Sequence, residues 1–174
     1  DPDEARLFLS PSLKRDWADP LLIPGMSDAA DRVMRALADH EAIAVFGDFD
    51  VDGMSSTCLL TLALRRLGAD VHPFIPNRFG EGYGLSREAL ARVRQTCEPD
   101  LVITVDNGIA AREEVAWLVS EGVDVVVTDH HEPADLVPEG VPVTDPKLSA
   151  DCPSRELAGA CVALKLVCEL GRRL

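Results

Sequence analysis

Between Ala42 and Val143, short apolar β-branched runs alternate with longer stretches whose apolar positions recur at helical spacing. That alternation is the signature of βαβ units and a parallel sheet. It predicts strands at Ala42 to Asp48 (AIAVFGD), Val71 to Pro76 (VHPFIP), Leu101 to Asp106 (LVITVD), Val123 to Asp129 (VDVVVTD) and Val141 to Asp145 (VPVTD). Ser27 is placed to N-cap a helix reaching His40, with Val33, Met34 and Leu37 on one face. A second helix is expected from Ser55 (SSTCLLTLALRRLG), stopped by Gly68. Others are expected at Ser86 to Gln95, after the loop NRFGEGYGL, and at Ala111 to Glu121. From Leu157 a nearly all-apolar helix ends on Arg172 and Arg173, which suit a helix C-terminus; it is expected to continue into more protein. The fold class read from this order is α/β: a three-layer α/β/α arrangement around a mainly parallel sheet of about five strands.

Composition narrows the class. The 174 residues are enough to bury one core, and no repeat, long linker or internal domain boundary is visible. With 47% hydrophobic but only 5% aromatic residues, and no apolar run near membrane-spanning length, a soluble protein and no membrane association are expected. The acidic opening DPDEARLFLS lacks the basic start of a signal peptide, so a cytoplasmic location is expected; a chain opening on Asp1 without methionine reads as a fragment. Cys58, Cys97, Cys152, Cys161 and Cys168 form no CxxC pair and read as buried thiols. A formal net charge of -13 argues against gripping nucleic acid through a basic face of this chain itself.

In an open parallel sheet, ligands bind outside the carboxyl ends of the strands, so residues at those ends carry weight. Asp48, Asp50 and Asp52 follow the first strand, Asp106 closes the third, and Asp129, His130 and His131 close the fourth. Carboxylates gathered so densely repel unless cations lie between them, which predicts a divalent metal site. Oxygen ligands with imidazole and no thiol suit Mn²⁺ or Mg²⁺ better than zinc, with Mn²⁺ preferred. Two such ions bridged by one carboxylate, for which Asp106 is the natural candidate, would hold and acidify a water for in-line attack on phosphorus. A calcium loop fits poorly, since the closing Glu of that pattern is missing after Gly53. Ser55 and Ser56 in GMSS could bind a phosphate at a helix N-terminus or simply cap it. Arg78 in its glycine-rich loop could pair with a substrate phosphate or be a plain surface residue. Asp145 in TDPK reads as a turn or cap residue outside the site. Residue types and spacing alone thus reach phosphoester hydrolysis and no further.

The motifs GDFDVDGMSS, VDNG and TDHH resemble those of the DHH family of phosphoesterases. The flanking segments FLSPSLKRDWADPLLIPGMSDAADRV, IPNRFGEGYGLS and PVTDPKLSADCPSRELAGACVALKL are similar, more specifically, to its RecJ-type exonucleases, which act on single-stranded DNA. The resemblance covers nearly the whole chain and implies Mn²⁺- or Mg²⁺-dependent 5′→3′ hydrolysis of single-stranded DNA in repair or recombination, alongside other replication or repair proteins. It places Asp48, Asp50, Asp52, Asp106 and His130 at the metals, with Asp50, Asp106, His130 and His131 catalytic. Ser55, Ser56, Arg78, Asn107 and His131 would lie near substrate phosphates. Many members carry a metal-binding His where this chain has Phe46, a ligand Asp48 would have to replace. The resemblance assigns 1–174 to the catalytic DHH domain, with the family's later ligand Asp, DHH-associated domain and oligonucleotide-binding domain outside it. Weak metal affinity and little nuclease activity follow for this piece alone. A DHH hydrolase of short oligoribonucleotides or nucleotide phosphates is the alternative enzyme; a non-catalytic replication scaffold on the same fold is the alternative outside enzymes.

Overall fold

A computed structural model of the chain describes residues 1–77, 84–133 and 135–174. Five parallel strands form one sheet in the order β2-β1-β3-β4-β5. They are β1 (Ala42–Phe46), β2 (Asp70–Phe74), β3 (Leu101–Val105), β4 (Asp124–Thr128) and β5 (Val143–Thr144). The expected strands run one or two residues beyond the observed carboxyl ends, where the Asp106 and Asp129 N–H groups still donate to the Thr128 and Thr144 carbonyls at 3.0 and 2.9 Å. β3 is buried at every residue, as expected of a strand covered on both faces.

Side chains alternate across the sheet and separate two cores. Ile43, Val45, Leu101, Ile103 and Val105 pack against helices α3 (Met26–Asp39), α4 (Val51–Arg66) and α7 (Gly159–Arg173). Ala44, Phe46, Val102, Val125 and Val127 pack against α5 (Arg87–Cys97) and α6 (Arg112–Ser120). The three-layer α/β/α reading therefore holds, with the sheet entirely parallel. Phe46, where the resemblance leads one to expect a metal-binding histidine, is completely buried in the second core.

Several local expectations are corrected. The second helix starts at Val51, not Ser55, because the Asp50 carboxylate caps it by accepting the Gly53 N–H at 2.9 Å. The helix expected from Ser27 begins at Met26 behind Gly25. Two short helices, α1 (Pro2–Leu9) and α2 (Leu13–Asp16), and a 3₁₀ turn at Pro20–Leu22 precede it. Beyond them, the Lys165 ammonium on α7 lies 3.7 Å from the centre of the Trp17 ring and donates to the Ala18 carbonyl, tying this segment to the core. Of the cysteines only Cys152 is buried, and Cys58 is exposed on α4. Among the described residues no helix is long and apolar enough to cross a membrane.

Candidate metal centre

The chain leaves β1 toward β2 on one side and later returns to place β3 on the other, so the loops after β1 and β3 diverge and open a crevice at the carboxyl edge. Asp48 to Asp52 and Asp106 stand at that crevice, and β4 beside it delivers Asp129, His130 and His131. Asp106 sits at φ 60°, a left-handed conformation that turns the chain directly off the strand end.

Asp106, His130 and His131 each offer a ligand atom, all within 4.8 Å of one another. His130 Nε2 is 3.0 Å from Asp106 Oδ1 and 3.5 Å from Asp52 Oδ2. Asp106 Oδ1 is buried and, among the described residues, makes no contact with hydrogen-bond geometry. Burial first, then the charges of Asp52 and Asp50, push the Asp106 carboxyl up to about 7. A buried oxygen without a donor, beside two imidazoles and further carboxylates, is a donor set that fits a divalent cation of the Mn²⁺ or Mg²⁺ kind.

Two carboxylates support these groups. Asp129, 1% exposed, takes the His130 N–H at 2.7 Å, the His131 N–H at 3.2 Å and His131 Nδ1 at 2.7 Å through one oxygen. Its other oxygen accepts the Ile109 N–H at 2.9 Å, which locks the β3 and β4 loops together. Burial pulls the His131 pKa down, but the hydrogen bond and charge of Asp129 outweigh it and leave the imidazole above its ordinary value. Asp52, in turn, accepts the Gly159 N–H and the Ala160 N–H at 2.8 Å each, so it caps the helix α7 from across the crevice. A Cβ on Gly159 would stand 2.5 Å from Asp106 Oδ1, which makes glycine necessary for this approach. The motif letters signal Asp129, but nothing in the sequence pairs Asp52 with the start of α7.

The remaining candidates flank the cluster. Asp48 accepts the Phe49 N–H at 2.6 Å and lines a cavity of about 280 Å³ with Asp106, Asn107, Asp129 and His131. Asp50 is exposed and spends one oxygen on its cap. Neither shares the tight ligand group of Asp106. Asn107 is buried, and neither side-chain polar atom has a hydrogen-bond partner among the described residues. Ser55 and Ser56 lie in the second turn of α4; Ser56 is buried with its hydroxyl on the Asp52 carbonyl at 2.7 Å, so the GMSS segment is not a helix end. Arg78 lies outside the described residues. Asp145 caps the 3₁₀ turn Pro146–Leu148 by accepting the Lys147 N–H at 2.7 Å, as its Asp-Pro context suggested.

The model of the DHH family N-terminal domain matches residues 42–173. The chain belongs to the DHH family. The single-stranded-DNA-specific exonuclease RecJ of Bacillus subtilis is 41% identical over 165 residues, which is 94% of this chain and 21% of that protein. RecJ of Thermus thermophilus is 44% identical over 92% of this chain and 24% of its own length. The chain thus spans about a fifth to a quarter of the length of these relatives. A crystal structure of exonuclease RecJ bound to manganese is 40% identical, with a TM-score of 0.79 over 87% of this chain and 38% of the other. RecJ of Thermus thermophilus in complex with Mn²⁺ gives a TM-score of 0.74 at 37% identity over 87% of this chain and 21% of the other.

Proposed function

We propose that this DHH-family chain carries the metal-binding half of a phosphodiester hydrolase that degrades single-stranded DNA from its 5′ end. The carrying observation is the convergence of Asp106, His130 and Asp52, with His130 Nε2 3.0 Å from Asp106 and 3.5 Å from Asp52, at the switch point of a parallel sheet. Identity of 41–44% to RecJ enzymes supports the choice of DNA over short oligoribonucleotides or nucleotide phosphates. Retention of the acidic and histidine cluster speaks for catalysis over a scaffold role.

Asp106, His130 and Asp52 would hold the cation, with Asp48 and Asp50 as flanking carboxylates. Bound Mn²⁺, or Mg²⁺ in its place, would supply an activated water and neutralise charge developing on phosphorus. Asp129 fixes the orientation of the His131 imidazole through Nδ1 and holds the backbone of His130 through its N–H. His131, with Nδ1 on Asp129 and a raised pKa, presents a donor ring nitrogen suited to a phosphate oxygen. The Asn107 carboxamide, lining the adjoining cavity, can donate to a second one. The first amides of α7 hold Asp52 in place.

The further domains of the longer relatives would supply grip on DNA, and replication or repair proteins in the cytoplasm are the expected company of such an enzyme. The test is release of nucleotides from 5′-phosphorylated single-stranded DNA by this chain, alone and extended to the length of its relatives, with Mn²⁺ and with EDTA. Mn²⁺-dependent release, slow for the chain alone, is expected. Faster hydrolysis of diribonucleotides than of DNA by the extended form would transfer the proposal to the oligoribonucleotide reading.

A further inference from the structure

The chain is acidic overall, yet beside the metal centre it holds two cations in fixed positions. After β5, residues 145–158 run along the carboxyl edge of the sheet from Asp145 to the start of α7, where the Gly159 and Ala160 N–H groups meet Asp52. Lys147 and Arg155 lie on this strap. The Arg155 guanidinium donates through Nη1 to the Lys147 carbonyl at 3.1 Å and the Ser149 carbonyl at 3.3 Å, so the strap's own backbone sets its direction. Arg155 Nη2 lies 3.7 Å, and Lys147 Nζ 3.3 Å, from the two oxygens of Glu132. Glu132 directly follows His131, and its side chain is 70% exposed, whereas those of Lys147 and Arg155 are only 19% and 35% exposed.

The asymmetry is informative. Long contacts to an exposed carboxylate hold little energy, because water screens the pair and the flexible side chain loses entropy in making it. The two cations, in contrast, have already been ordered by burial and by backbone carbonyls. Lys147 is close enough for its charge to act on both His131 and Asp145. An anion with more charge per oxygen and its own tether to the metal centre would displace Glu132 from between them.

We propose that Lys147 and Arg155 form the seat for a backbone phosphate of single-stranded DNA next to the scissile one, and that Glu132 occupies this seat until the strand enters. The seat rests on the phosphodiesterase reading above and adds a substrate contact to it. It gives an acidic chain a local means of holding a polyanion: the strap presents two adjacent cations, while the carboxylates beside it are reserved for metal. Glu132 then acts as a gate against weakly charged ligands, since only a strand that also reaches the metal centre gains enough to replace it.

The test is fluorescence anisotropy of a labelled phosphorothioate oligothymidylate, which resists hydrolysis, with the Mn²⁺-loaded chain across a salt series. Glu132→Gln should tighten binding roughly three- to tenfold, while Lys147→Gln and Arg155→Gln should weaken it to a similar degree and each lower the slope of log affinity against log salt by about one. Arg155→Lys keeps the charge and should keep most of the slope, which separates a lost charge from a loosened strap. Unchanged or weaker binding by Glu132→Gln, or an unchanged salt slope in Lys147→Gln, would overturn the proposal, as would absence of saturable binding by the wild type. Mn²⁺-dependent hydrolysis of bis(p-nitrophenyl) phosphate by the wild type is followed in parallel. Hydrolysis without the charge effects removes the seat alone, and the charge effects without hydrolysis, by this chain and by its form extended to the length of its relatives, remove the phosphodiesterase reading and leave a polynucleotide-binding seat.

Discussion

Buried charge occurs at both ends of the sheet, and the two ends are closed differently. At the amino end Arg32 on α3, 5% exposed, donates to Asp124 at 2.6 Å and to Glu41 at 2.7 Å, so its charge is balanced inside the chain. At the carboxyl end Asp106, 2% exposed, faces Asp50, Asp52 and Asp129, and its carboxyl is pushed up to about 7. The first arrangement is electrically complete and stabilises the fold. The second is complete only with a cation from outside, and that deficit separates a site from a structural ion pair.

The comparison breaks most visibly in activity. Asp106→Ala should reduce Mn²⁺-dependent phosphodiester hydrolysis by more than about a hundredfold, the upper range seen even for outer-shell partners of a metal, while the protein stays folded by circular dichroism. Asp129→Asn should cost about 10–100-fold in the same assay, since the His131 imidazole loses its charged partner and the Ile109 N–H loses its acceptor. Arg32→Ala should do the opposite: denaturant unfolding should show a loss of about 1–3 kcal/mol, modest because Asp124 is largely exposed, with Mn²⁺ affinity unaffected.

A smaller effect is expected in the pH dependence of the metal-free protein. Asp106 is raised from 3.8 to about 7 on folding, so its protonated form favours the native state. That contribution is fully present below about pH 4 and is lost as pH rises through about 7. Asp145, raised to about 6 by burial, acts in the same direction. Thermal unfolding of the metal-free chain should therefore show falling stability between these limits, and Asp106→Asn should flatten the decline by roughly 2–4 kcal/mol. Mn²⁺ should restore stability at neutral pH in the wild type only.

Much of this was visible in the residues before the fold. Parallel strands covered on both faces leave unbroken runs such as LVITV and DVVVT, and the polar residue that ends each run marks the carboxyl edge of the sheet. That is why Asp106 and His130 could be placed together without coordinates. Local competition hid other features: Asp50 takes the cap position, so the helix begins at Val51, and Ser55 and Ser56 fall in its second turn. Long-range pairing hid more, since no pattern in the chain links Asp52 to the amides of Gly159 and Ala160 or Lys147 and Arg155 to Glu132. The Phe46 position was readable as a missing ligand, whereas its complete burial in the second core was not.

Calorimetric titration of Mn²⁺ into the metal-free chain at about pH 6.5, repeated in buffers of different ionisation enthalpy, tests the central claim most directly. Saturable binding with release of protons by the wild type, and at least tenfold weaker binding without that proton release by Asp106→Asn, is the predicted result. Equal affinity and equal proton release in the two proteins would contradict a metal centre built on Asp106.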